Sequence, residues 1–113
     1  MKKIYTLKKN YEFKNVITNG RYFIKNQIII YITPNKKNEN VIGIAVNTKL
    51  CNAVKRNYLK RKIRESYREI QEDLKKGYNI VFLWNKRISP DKAKFYEIRK
   101  DMKEAFIEAK ILI

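Results

Sequence analysis

The segment between positions 55 and 64 combines a high density of cations with no acid. Its cations are Lys55, Arg56, Lys60, Arg61, Lys62 and Arg64. Such residues bind phosphate, and arginine does so through paired hydrogen bonds. The acids Glu65, Glu69, Glu72 and Asp73 come only afterwards. This order opposes the dipole of a helix, which favours acids in the first turn and bases in the last by about 0.3 to 1 kcal/mol each. A bound polyanion would reverse that cost.

The whole chain shares this imbalance of charge. It has 27 Lys and Arg against 11 Asp and Glu, no histidine and a formal net charge of +16. Self-repulsion at this charge makes an anionic partner the expected one, and nucleic acid, an anionic membrane and an acidic protein all qualify. No apolar run is long enough to span a bilayer. The alternative for the basic segment is a solvated charged face, but its polarity and the net charge favour nucleic acid.

Residues that could cleave a phosphodiester are not evident. A protein nuclease usually clusters carboxylates around metal ions or uses histidine as a general acid or base. Histidine is absent, and the three clearest strand segments, 27–33, 41–46 and 79–84, contain no Asp or Glu. Pairing along helices, such as Arg68 with Glu72, accounts for the acids. We therefore predict no catalytic residue and no metal ligand in the protein itself.

The basic segment belongs to a predicted helix that begins near Asn52 and covers about Ala53 to Leu74, with Gly77 as its stop. Its apolar stripe, at spacings of four, four, three and four, consists of Leu59, Ile63, Tyr67, Ile70 and Leu74. The row of cations beside this stripe consists of Lys60, Arg64 and Arg68, with Arg61 next to it. Like charges at this spacing repel one another, so the row also favours a bound polyanion.

Strands before and after this helix are predicted from alternating apolar residues. In the segment 27–33, Ile28, Ile30 and Ile32 share one face. In 41–46 the small residues Gly43 and Ala45 share a face, so another backbone or a ligand could approach it closely. The third strand is 79–84, and a further short strand is predicted at 22–25.

Two more helices complete the predicted fold. The first covers Asn10 to Thr18 and stops at Asn19-Gly20. The last opens at Ser89-Pro90-Asp91, which resembles an N-cap, an N1 proline and an early acid, and runs toward Ala109. We therefore predict a single domain over residues 1–113, of the α/β class, built as a small α+β sandwich.

One long string resembles a known signature. Its residues are Ile42-Gly43-Ile44-Ala45-Val46, then Lys49, then Asn52-Ala53-Val54-Lys55-Arg56-Asn57-Tyr58-Leu59-Lys60-Arg61-Lys62-Ile63-Arg64-Glu65. The string resembles the protein subunit of bacterial ribonuclease P. Leu7, Phe13 and Gly20 match that family's opening helix, and 77–83 matches its late strand. The resemblance implies an αβββαβα fold whose basic helix lies in a left-handed βαβ crossover, an exception to the usual right-handed rule.

The resemblance also implies functional residues. RNA binding would fall on Lys49, Arg56, Asn57, Lys60, Arg61 and Arg64, and the helical row adds Arg68. The 5′ leader of precursor tRNA would lie in a cleft lined by Phe13, Ile17 and Tyr31. Without the resemblance, Phe13 and Tyr31 would also fit core positions. Three residues depart from the family pattern: Tyr58 replaces a second arginine, Ile17 replaces an aromatic and Cys51 replaces a glycine. Tyr58 could supply stacking or a hydroxyl contact.

The implied activity belongs to a holoenzyme. The RNA subunit would bind Mg²⁺ and activate water, and one monomeric protein per RNA would assist removal of the leader as part of an endoribonuclease. The isolated protein would then be inactive. A structural RNA-binding protein, such as a small ribosomal protein, is the alternative; a DNA-binding protein fits less well, because no helix-turn-helix is evident. One cysteine, and no apolar signal region in residues 1–9, favour the cytoplasm.

Overall fold

The computed structural model describes residues 3–113. In this part of the chain the strands are β1 Tyr5–Thr6, β2 Arg21–Ile24, β3 Ile28–Pro34, β4 Val41–Ala45 and β5 Tyr78–Trp84. The helices are α1 Asn10–Asn19, α2 Ala53–Ile70 and α3 Phe95–Glu108, with short 3₁₀ helices at Gln71–Asp73 and Pro90–Lys92. The order confirms the expected αβββαβα fold and adds β1, which the periodicity did not indicate.

The strands form one sheet in the order β1-β4-β5-β3-β2. β1 pairs parallel with β4, and β4 pairs parallel with β5. β3 is antiparallel to both β5 and β2. Because β4 and β5 are parallel neighbours, the chain must cross over between them, and α2 forms that crossover. The basic helix therefore lies where the resemblance implies.

One face of the sheet packs against α2 and α3 and is called the closed face below. As predicted, Ile28, Ile30 and Ile32 are buried on it. The ring of Phe82 on β5 joins the layers, because its centroid lies 5.7 Å from that of Tyr67 on α2 and 6.2 Å from that of Phe106 on α3. The apolar stripe of α2 is thereby fixed to the sheet, and the cations on its other sides point away from the core.

The opposite face of the sheet packs against α1 and is called the open face. A methyl group added at Gly43 would lie 2.4 Å from Cζ of Phe13, so the Phe13 ring rests on the glycine backbone. Gly43 thus permits a close approach, as predicted, but the group that approaches is the side chain of Phe13, not a backbone or a ligand. α1 has only ten residues and covers part of this face, while Ile29 and Tyr31 on β3 remain half-buried.

The predicted end of the basic helix at Leu74 was wrong by four residues. α2 ends at Ile70 and continues as the 3₁₀ turn Gln71–Asp73. Leu74 has extended backbone angles and bridges to Leu112 near the end of the chain, which draws it out of the helix. Gly77, with φ of 103°, then makes the turn into β5 instead of capping the helix.

The predicted start of the last helix at Ser89-Pro90-Asp91 was also wrong. Ser89 caps only the 3₁₀ helix Pro90–Lys92, and α3 begins at Phe95. The buried Gln27 explains the break: its amide donates to the carbonyl of Lys92 at 2.7 Å and accepts from the amide of Lys94 at 3.1 Å. These backbone groups are bound to Gln27, the residue before β3, and are not available to a continuous helix.

Candidate RNA-binding interface

The basic helix begins at the predicted position. Asn52 is the N-cap, and its side-chain oxygen accepts a hydrogen bond from the backbone amide of Lys55 at 2.9 Å. The first turn of α2 contains no acid. A short polar side chain at this position satisfies one amide that the helix leaves unpaired. The start of the cation-rich segment is therefore fixed by local hydrogen bonding.

Three predicted phosphate ligands share the outer side of α2. Arg61 and Arg64 are exposed, and Lys60 is half-buried beside the apolar stripe. Within residues 3–113 none of the three forms an ion pair. Asn57 is exposed on the same side. Unneutralised cations grouped on a rigid helix form a surface suited to a polyanion.

Arg56 faces the loop before α2 more than it faces solvent. Its guanidinium donates to the carbonyl of Cys51 at 2.7 Å and to that of Thr48 at 3.2 Å. The same loop presents Lys49, whose backbone amide donates to the side chain of Asn47 at 2.9 Å. Arg56 thus stabilises the loop from which Lys49 projects, in addition to any contact with RNA.

Arg68 lies at the far end of the cation row. Its guanidinium forms an ion pair with Glu65, three residues earlier. Its Nε atom is buried and has no hydrogen-bond partner among the residues that the structure describes. Arg68 is therefore partly neutralised within the protein, whereas Arg61 and Arg64 are not.

Tyr58 lies on a different side of α2 and is surrounded by cations. Nζ of Lys55 lies 4.8 Å from the centre of its ring, Nζ of Lys62 lies 4.9 Å away, and the guanidinium carbon of Arg61 lies 6.0 Å away. These residues precede or follow Tyr58 by three or four positions, so helical spacing alone could have indicated the cluster.

The residues predicted to line the leader cleft lie on or beside the open face. Phe13 and Ile17 are one turn apart on α1, and Ile17 is exposed. Tyr31 lies on β3 and pairs across the sheet with Tyr22 of β2. The two ring centroids are 6.1 Å apart, and 63% of Tyr22 is exposed. Tyr22 was missed, because only the strand register places it beside Tyr31.

Several acids of the described residues have partners within the protein. Within 3–113 no group of three or more Cys, Asp or Glu side chains could hold a metal ion. Asp101 is buried, and its carboxylate accepts a hydrogen bond from the backbone amide of Gln27 at 2.7 Å. Burial raises the pKa of Asp101 above its ordinary value, an effect that the hydrogen bond from Gln27 partly offsets.

No helix within residues 3–113 has both the length and the apolar character needed to cross a bilayer.

Comparison with known proteins identifies this arrangement. Residues 1–110 match the family Ribonuclease P. The ribonuclease P protein component of Clostridioides difficile (strain 630) is 40% identical over 98 residues, which are 86% of this chain and 84% of that protein. The structure of the Staphylococcus aureus RNase P protein aligns with a TM-score of 0.82 at 28% identity, over 98% of this chain and all of that chain.

A second structure, of an S. aureus RNase P protein mutant with defective mRNA degradation activity, aligns with a TM-score of 0.81 at 28% identity, over 96% of this chain and 90% of that chain. These matches do not favour the alternative of a small ribosomal protein. The chain belongs to the family of ribonuclease P protein components.

Proposed function

We propose that α2 binds the catalytic RNA of ribonuclease P, with Lys60, Arg61 and Arg64 on its phosphates. As a member of this family, the chain works with the ribonuclease P RNA in the processing of precursor tRNA. One observation supports the proposed surface above all: these three cations form no ion pair within residues 3–113, although the helix that carries them is fixed to the core. Phosphates that bind them would release counterions, which favours association at low salt.

In this proposal the other predicted RNA ligands contribute to binding to different extents. Asn57 is exposed beside Arg61 and Arg64 and would contact the same RNA. Lys49 would contact it from the loop that Arg56 stabilises. Arg68 would contribute least, because Glu65 already neutralises it.

The open face of the sheet would hold the 5′ leader of precursor tRNA. Single-stranded RNA stacks its bases on exposed aromatic rings, with about 1 to 3 kcal/mol per base. Tyr22 and Tyr31 offer two neighbouring rings there, and α1 adds Phe13 and Ile17. Ile17 can line the cleft but cannot stack as an aromatic does, so the two tyrosines would supply most of the binding.

Catalysis would belong to the RNA subunit. The carboxylate of Asp101 accepts a backbone hydrogen bond, and Glu65 and Glu69 pair with arginines, so these acids are occupied within the fold. In this proposal the Mg²⁺ that activates water would be held mainly by RNA. The isolated protein, proposed to act as one monomer per RNA in the cytoplasm, would leave precursor tRNA uncut.

Reconstitution with the catalytic RNA of the same host tests this function. Adding the protein should confer leader removal at a low magnesium concentration at which the RNA alone is slow. Arg61→Ala and Arg64→Ala should each lower the slope of log affinity against log salt by about 1. Lys103→Ala, which removes an exposed cation of α3, is the matched control and should leave stimulation intact. An unaltered slope would remove Arg61 or Arg64 from the phosphate ligands.

The isolated protein should be assayed with two substrates, precursor tRNA and an mRNA. The mRNA is included because a mutant of the similar S. aureus protein has defective mRNA degradation activity. Cleavage of either substrate by the protein alone, with contaminating RNA and nucleases excluded, would contradict the assignment of catalysis to the RNA subunit.

A further inference from the structure

α2 presents a second surface beside the cation row. Successive helical residues are about 100° apart, so Tyr58 points roughly 160° away from Lys60 and 120° away from Arg64. A groove of about 570 Å³ opens on this side. Its lining residues are Asn52, Val54, Lys55, Asn57, Tyr58 and Arg61. The groove therefore begins at the edge of the proposed phosphate surface and continues around the helix.

The charges around this groove are almost all positive. Nζ of Lys62 lies 4.9 Å from the ring of Tyr58, and Lys62 and Arg61 form no ion pair within the described residues. Only Lys55 has an acidic partner, Asp91, at 3.2 Å. The side chain of Val54 is 79% exposed and adds an apolar wall. An aromatic ring, an apolar wall and free cations together match a nucleobase with a phosphate on each side.

We propose that this groove binds one unpaired nucleobase of the catalytic RNA, stacked on Tyr58, with the adjoining phosphates on Arg61 and Lys62. The inference rests on the proposed function of α2. A base inside a duplex is already stacked on its neighbours and cannot present its face to a side chain, so the occupant is unpaired. The ring, and not the phenolic hydroxyl, supplies the contact.

The position of the groove favours the catalytic RNA, and not the leader, as its occupant. Ile42 and Ile80 share the closed face under α2, whereas Gly43 and Val81 share the open face under α1. The leader cleft and the Tyr58 groove are therefore on opposite sides of the sheet. A leader strand in the cleft does not reach Tyr58, while an RNA that binds the outer side of α2 lies directly beside it.

The test compares Tyr58→Leu with Tyr58→Phe in the full-length protein. Leucine keeps apolar packing against the core, which the half-buried Tyr58 contacts, but cannot stack. Affinity for the full-length catalytic RNA, measured without precursor tRNA, should fall about tenfold in Tyr58→Leu and stay unchanged in Tyr58→Phe. Neither variant should change the salt slope, whereas Lys62→Ala should lower it by about 1.

Base-specific chemical probing gives an independent readout. One unpaired base of the catalytic RNA should be protected by the unchanged protein and by Tyr58→Phe and become reactive with Tyr58→Leu. Tyr58→Trp should retain affinity, and its emission in excess of that from Trp84 in the unchanged protein should be quenched when the RNA binds. This variant therefore also serves if Tyr58→Leu folds poorly. Thermal unfolding of each variant verifies the fold.

Several outcomes would overturn the proposal. Equal affinities of the folded Tyr58→Leu and unchanged proteins would contradict stacking of a base on Tyr58. Unquenched emission from RNA-bound Tyr58→Trp would contradict it as well. Equal losses in the leucine and phenylalanine variants would assign the contact to the hydroxyl. A loss seen only with precursor tRNA that carries a long leader would place the leader in the groove. Failure of the proposed function looks different, because the unchanged protein would then not bind the catalytic RNA.

Discussion

The two faces of the β-sheet are covered by helices to different extents. On the closed face, Ile30, Ile42 and Phe82 are fully buried beneath α2 and α3. On the open face, Tyr22 and Ile24 of β2 are each 63% exposed, because the ten-residue α1 covers only part of the sheet. Uncovered apolar side chains that adjoin a cleft usually mark a binding site. The closed face thus maintains the fold, and the open face is available to a ligand.

The same contrast explains why α2 can be so basic. Its apolar stripe contacts the closed face, so packing energy compensates for repulsion among the cations on its outer side. α1 has no comparable anchorage, since Val16 is its only buried residue within the described chain. The proposed RNA surface therefore lies on a firmly anchored helix, whereas the proposed leader cleft lies beside a helix with one buried residue among those described.

The largest effect is expected from a deletion on the closed face. Phe82→Ala removes a ring that contacts both Tyr67 and Phe106, and should lower the free energy of unfolding by about 3 to 5 kcal/mol. Tyr22→Ala on the open face is the matched control and should cost less than about 1 kcal/mol. Urea unfolding measures both. Similar losses in the two variants would show that the faces do not differ in this way.

The next effect is expected where α1 meets the sheet. Gly43→Ala places a methyl group 2.4 Å from Cζ of Phe13, so the ring and α1 must move, at a cost of about 1 to 3 kcal/mol. The cost should nearly disappear in the background of Phe13→Ala, which removes the ring. A double-mutant cycle by urea unfolding measures this coupling, and strictly additive effects would contradict the close contact.

A smaller effect is expected for binding at the open face. Tyr22→Leu removes a ring that neighbours Tyr31 and should weaken binding of precursor tRNA to the holoenzyme about tenfold, with no change for mature tRNA. Tyr96→Leu, which changes a similarly exposed tyrosine on α3, should leave both affinities unchanged. Equal weakening for tRNA with and without a leader would exclude Tyr22 from the cleft.

The smallest effect is a pH dependence on the closed face. The raised pKa of Asp101 means that, above about pH 4, the folded protein retains a proton that the unfolded chain has lost. The resulting stabilisation is complete below that pH and is lost as the pH rises through the folded pKa. The free energy of unfolding of the unchanged protein, relative to that of Asp101→Asn, should therefore fall as the pH rises through the folded pKa. Urea unfolding at a series of pH values measures this difference. Asp73→Asn, which changes an exposed carboxylate away from Asp101, is the control. A stability difference that grows with pH would contradict the predicted direction.

Local patterns in the sequence were sufficient for much of this structure. The alternation of Ile28, Ile30 and Ile32 correctly identified the buried side of β3, and Asn52 correctly marked the start of α2. These features depend on residues that are near one another in the chain. The family resemblance predicted that the basic helix lies in a βαβ crossover and that the chain is a ribonuclease P subunit. Periodicity alone predicts neither.

Features that depend on distant residues were missed. β1 has only two residues, and it exists because they pair with Val41 and Ile42. The start of α3 depends on the amide of Gln27, which lies 65 positions before Lys92. Tyr22 joined the candidate cleft only when the register of β2 against β3 was known. The predicted RNA and leader ligands themselves stay predictions until binding is measured.

The strand order has a consequence for how the chain is made. β5 is the last strand in sequence but the central strand in space, between β4 and β3. A nascent chain that ends before Tyr78 would contain two separate strand pairs, β1 with β4 and β2 with β3, and small isolated pairs of strands are marginally stable in water. The basic helix α2 is synthesised before β5, so the chain acquires its cluster of cations before it can form a complete sheet.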